Sequence, residues 1–156
     1  MNERVEKLYV VYFLVLGLVT LGFGMADFIV TASGSEYTSA LLMIPNDGFR
    51  GGWGGLVMII AGIFYLSGLK GAGEIHQSGK VVMGSILIWV MAGTDIFGMI
   101  AESIPGGEEG WFNTGKVFWG TYAPPYAPAI FLLPFSLIVI FYVHRYYRKP
   151  KTLKKA

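Results

Sequence analysis

An all-α integral membrane protein, built as a four-transmembrane-helix bundle, is the fold class that this sequence predicts, and three observations predict it. Of 156 residues, 54% are apolar and only 14% charged, with a mean hydropathy of +0.56, whereas a soluble domain needs about a quarter of its residues charged to cover its surface. The charges collect at the ends and in short connecting stretches. Four apolar runs, about 8–30, 52–69, 81–104 and 126–143, approach or exceed the length that crosses a hydrocarbon core of about 30 Å at about 1.5 Å per residue. The whole chain, 1–156, reads as a single membrane domain with a basic tail at 144–156.

The first span, 8–30, is nearly unbroken. Val30-Thr31-Ala32 resembles a small-residue cleavage site, but the apolar stretch is too long for a signal peptide, and Glu3 and Glu6 spoil its basic leader, so the span is read as retained. The connection that follows, about 31–51, is long for a structureless loop. Within it, Glu36 to Ile44 reads as a short helix, stopped by the turn signal Pro45-Asn46-Asp47-Gly48. The second span is the shortest and opens on Arg50-Gly51-Gly52-Trp53-Gly54-Gly55, so an irregular or very closely packed entry is expected. A short basic loop, Lys70 to Lys80, leads into the third span. The next long connection, about 105–125, carries Trp111, Phe118, Trp119 and Tyr122 at helical spacing, which suits a segment lying in the membrane interface. In the last span Pro128 fits a first helical turn, whereas Pro134 falls inside and predicts a kink that frees the carbonyl near Ile130.

Four spans put both termini on one side, and the basic residues choose which. Arg4, Lys7, Lys70, Lys80, Arg145, Arg148, Lys149, Lys151, Lys154 and Lys155 lie at the termini or in the short loop, against Arg50 and Lys116 on the other side. The positive-inside rule then places the N- and C-termini in the cytoplasm. Tyr9, Tyr12, Tyr142, Tyr146 and Tyr147 mark the inner interface, and Trp53, Trp111, Trp119, Tyr122 and Tyr126 the outer one, as amphipathic rings prefer. Trp89 is the exception, well within the third span. The order span, long outer loop, span occurs twice, and Met25-Ala26-Asp27-Phe28-Ile29 resembles Gly93-Thr94-Asp95-Ile96-Phe97; a duplication and shared apolar composition both account for it.

Asp27 and Asp95 carry the chemical signal, because an ionisable group at the centre of a membrane helix costs on the order of 2.5–3.5 kcal/mol on insertion scales. Something must offset that cost. Gly17, Thr20, Gly24, Asp27 and Thr31 draw one small and polar stripe along the first span, and Ala92, Asp95, Gly98 and Glu102 a comparable one along the third. If the stripes oppose one another, the acids converge beneath the outer surface as a proton or cation site. The structural alternative pairs Asp27 or Glu102 with Arg50 or Lys116, while a protonated Asp95 bonds a carbonyl or hydroxyl of a neighbouring span. Gly55 and Gly62 on the second span read as packing positions.

Other chemistries lack their residues. With no Cys, and with His76 in the short loop and His144 at the end of the last span, no haem, copper or zinc ligand set is apparent. The Gly51 to Gly55 cluster lacks the Lys-Ser/Thr ending of a phosphate loop, and the motifs of intramembrane aspartyl proteases are missing. No cofactor, no metal and no catalytic residue is therefore expected. The expected partners are the lipid bilayer, other membrane subunits or further copies of the chain, and anionic lipid head groups at the basic tail, with no nucleic acid. The leading functional expectation is a non-catalytic subunit of a larger membrane complex, acting by helix packing. The alternative is a small proton- or cation-coupled transporter or channel working as a homo-oligomer through Asp95 and Asp27.

Overall fold

All four apolar runs become helices in the computed structural model, which describes residues 3–44, 48–71, 74–103 and 122–147. Helix α1 (Glu3–Ala32) leads into a hairpin of β1 (Tyr37–Thr38) and β2 (Met43–Ile44). A single π-helical turn, Gly48–Trp53, opens α2 (Gly54–Gly68), and the 3₁₀ turn Leu69–Gly71 precedes α3 (Ile75–Ser103). The last span is divided into α4 (Pro128–Ser136) and α5 (Ile138–Tyr147). Four stretches, Val5–Ala32, Gly48–Gly68, Ile75–Ile100 and Pro128–Arg145, are long and apolar enough to cross a membrane. The chain is thus a mostly helical membrane protein.

In lipid, exchanging apolar side chains between neighbours gains little, so close van der Waals fit and buried hydrogen bonds hold helices together. Glycines supply the fit between α1 and α2. A Cβ at Gly24 would stand 2.7 Å from the Ile59 amide nitrogen and 2.8 Å from the Gly55 carbonyl, and one at Gly62 would stand 2.8 Å from Leu21 Cβ. Gly17 abuts Tyr65 Cβ at 2.9 Å in the same way. These pairs run in opposite chain directions, so α1 and α2 pack antiparallel, nearly backbone to backbone. Helix α3 continues the order against α2, with Gly84 on the Ala61 carbonyl and Gly68 on Val81, and α4 closes the bundle against α3 and α1.

Away from the hairpin the core is aromatic. Phe13 and Tyr65, both fully buried, stack with ring centres 5.7 Å apart, and Tyr9 meets Phe13 at 4.8 Å and Tyr142 at 5.2 Å. Three side-chain hydrogen bonds lock buried polar groups across helices or within them. Tyr65 Oη and Ser85 Oγ lie 2.7 Å apart, Trp89 Nε1 donates to Ser136 Oγ at 2.8 Å, and Thr20 Oγ1 donates back to the Leu16 carbonyl at 2.7 Å. Trp89, out of place for an interfacial ring, is therefore tied to the last span.

That span breaks at Leu137, three residues beyond Pro134. Pro134 has no N–H to offer Ile130, and the helix tightens one turn later, where the Ile140 amide donates to the Leu137 carbonyl at 3.0 Å. The irregular turn is repaired from outside: Tyr12 Oη donates to the Phe135 carbonyl at 2.8 Å, and Ser136 Oγ to the Leu133 carbonyl at 2.7 Å.

The segment read from sequence as a helix, Glu36 to Ile44, is instead the hairpin, pairing Tyr37 with Ile44 and Thr38 with Met43. Ser39 turns the chain by binding the Leu42 amide with its side chain at 3.1 Å, the local competition that disfavours helix at serine. The hairpin also has a distant partner, since the Met43 amide donates to the Tyr126 carbonyl at 3.0 Å and the Tyr126 amide to the Leu41 carbonyl at 2.9 Å. The interfacial segment proposed around Trp111 to Trp119 and the turn at Pro45 to Asp47 lie outside the described residues.

Candidate functional site

The site grows from the glycine-rich entry of α2. Gly54 and Gly55 are buried side by side on this helix, and each clears space for a different neighbour. A Cβ at Gly55 would meet Asp27 Cβ at 2.9 Å, and one at Gly54 would meet Met91 Cε at 3.0 Å. The bare backbone of α2 thus admits α1 on one side and α3 on the other. The preceding π-helical turn carries Arg50 back over the same end of the bundle. A π turn inserts an extra residue into the helical ladder and commonly marks functional positions.

Arg50 Nε donates to Asp95 Oδ1 at 3.2 Å, with Asp95 buried on α3. Gly98, one turn further along α3, leaves the guanidinium room: Arg50 Nη2 lies 3.9 Å from where its Cβ would be. This contact is not among the pairings expected from sequence, where Arg50 answers Asp27 or Glu102 and Asp95 a hydroxyl or carbonyl. Glu102 lies on α3 with its side chain outside the described residues, and Lys116 lies outside them altogether.

Asp27 is 3% exposed, and its Oδ1 has no hydrogen-bond partner among the described residues. Thr31, one helical turn further on the same face, has its Oγ1 buried without a hydrogen-bond partner as well. Asp27, Arg50 and Asp95 line one small cavity with Met58, Met91 and the start of α4 at Ala127, Pro128 and Ala129. Its volume, about 10 Å³, is room for about one water molecule. The two acids thus share a cavity although their stripes are not face to face. The small residues of α1 are spent on α2, which lies between α1 and α3 for most of their length.

Gly17, Gly24, Gly55 and Gly62 all serve packing within this one chain. His76 and His144 are both exposed near the far end of the bundle. Sequence reasoning missed Met58 and Met91 as cavity walls, and Ser85 and Ser136 as partners of buried rings. The two serines fall in register with buried neighbours, Val81 and Ile88 around Ser85 and Leu132 and Val139 around Ser136, and that polar residue on an apolar stripe was the available signal. No match to a family model, a curated protein or a solved structure accompanies this geometry, so the functional argument rests on the cluster and on the surface of the bundle.

Proposed function

We propose that the chain is a non-catalytic, multi-pass subunit of a larger membrane assembly, inserted with both termini in the cytoplasm and working by helix packing. One observation carries this reading: two mid-span glycines meet nothing among the described residues that a side chain would displace. Gly22 on α1 and Gly93 on α3 have nothing within 4 Å of where a Cβ would stand, in contrast to the four glycines of the α1–α2 contact. Each sits in an exposed apolar row, Leu18, Gly22, Met25 and Ile29 on α1, and Val90, Gly93 and Phe97 on α3. A glycine inside a helix costs about 1 kcal/mol relative to alanine, and a flat spot on a lipid-facing row suits close approach by another helix.

The test is native mass spectrometry on tagged protein extracted in mild detergent from its own host's membranes. Recovery with stoichiometric foreign subunits, lost in Gly22→Leu or Gly93→Leu while the helical circular-dichroism spectrum stays unchanged, is the expected result. Recovery as a lone monomer from those membranes counts against the proposal.

The shared cavity favours a second reading, a small proton- or cation-coupled transporter or channel working as a homo-oligomer. Its support is the placement of Asp27, Asp95 and Arg50 around one small, otherwise apolar space. Flux in liposomes that Asp27→Asn or Asp95→Asn abolishes is the result it requires, and wild-type flux in both variants removes it.

A further inference from the structure

Three ionisable side chains meet in the cavity, and only two of them pair as opposite charges. Asp95 on α3 accepts from Arg50 on the π turn at 3.2 Å. Asp27 on α1 is buried with an oxygen that accepts nothing among the described residues. The fourth wall, from the last span, is Ala127, Pro128 and Ala129 and brings no charge. Among the described residues, the cluster with both acids ionised carries one negative charge in excess, inside a span where lipid penalises it.

We infer that Asp27 is a proton-binding site, on which one proton adds to the carboxylate and leaves again, while Asp95 stays ionised against Arg50. The inference rests on the cavity of the second reading above and assigns the exchanging proton to Asp27 rather than to Asp95. Protonation adds an O–H bond at Asp27, turns an acceptor without a donor into a donor, and brings the cluster to neutrality. A proton suits the space better than a hydrated ion, because the cavity is about the size of a single water. Thr31, half-buried one turn beyond Asp27, likewise has an Oγ1 without a hydrogen-bond partner among the described residues.

Infrared spectroscopy of the full chain in lipid nanodiscs, followed across a pH titration, reads this directly from the carbonyl stretch of a protonated carboxylic acid. The sequence contains three aspartates, Asp27, Asp47 and Asp95, so ¹³C-aspartate labelling separates their bands from those of the glutamates by an isotope shift. The expected result is one shifted band that rises and falls with pH, is lost in Asp27→Asn, persists in Asp47→Asn, and persists in Asp95→Asn with its titration moved to lower pH, because Arg50 is then left to face the Asp27 carboxylate. If Asp27→Asn does not fold, persistence in the other two variants makes the assignment by elimination. A band lost in Asp95→Asn alone, a band that does not respond to pH, or no aspartic acid band at any pH at which the chain stays helical overturns the inference. A titrating Asp27 band in protein that shows no flux in liposomes keeps the site and removes transport, whereas flux without the band removes the site and leaves transport to another group.

Discussion

Arg50 and Asp95 each carry a charge that the membrane interior penalises, and their pairing matters chiefly because it cancels two penalties at once. The contact includes a hydrogen bond at 3.2 Å, with Asp95 almost wholly enclosed. Removing one member of a buried pair costs about 3–5 kcal/mol, while replacing both by apolar groups of similar size is often close to neutral. Arg50→Met and Asp95→Leu are therefore each expected to destabilise the bundle strongly, and the double variant to recover most of the loss. A double-mutant cycle from unfolding titrations in bicelles measures this, and additive losses would show that the pair is not a unit. At this scale the sequence was legible in part. It singled out both acids and Arg50, because charges inside apolar runs are conspicuous. It did not bring Arg50 to Asp95, because the two lie on different elements and spacing along one chain does not record which elements meet.

The same glycine residue type does opposite work on the two faces of α1, and the difference is an element-scale property. Gly24 and Gly62 stand where any side chain meets backbone at under 3.0 Å, so neither neighbour can yield without moving a helix. Gly62→Leu is expected to cost more than the 1–3 kcal/mol typical of overpacking. Gly22→Ala, facing open space, is expected to stabilise the isolated chain by up to about 1 kcal/mol through helix propensity. Thermal unfolding of the two variants in detergent checks the pair of signs, and a loss at Gly22 comparable to that at Gly62 would contradict the sorting. The small-residue stripe on α1 was readable from its three-and-four spacing, as was the tight entry to α2. The hairpin was not, because Tyr37, Thr38, Met43 and Ile44 acquire their strand character partly from Tyr126, more than eighty residues away, and no local pattern records that partner.

Over the whole molecule, the four spans follow from composition and length, whereas the order of helices around the bundle depends on which glycines meet, which one sequence does not state. The direction of insertion is a separate question, decided by charge rather than packing. Ten basic residues stand at the termini or in the 70–80 loop and two, Arg50 and Lys116, on the side of the long connections. One of those two, Arg50, is engaged by Asp95 and so offers less free positive charge to compete. The bias toward a cytoplasmic location for the termini and the short loop is thus stronger than the bare count. The chain contains no cysteine, which makes this directly measurable. Ser39→Cys, at the turn of the hairpin, and His76→Cys, exposed at the start of α3, each introduce a single thiol at opposite ends of the bundle. In intact cells a membrane-impermeant maleimide is expected to label the Ser39→Cys protein and to reach the His76→Cys protein only after the membrane is permeabilised. The reverse pattern would invert the topology and put Asp27 and its cavity toward the cytoplasm, so that any proton bound there would come from inside the cell.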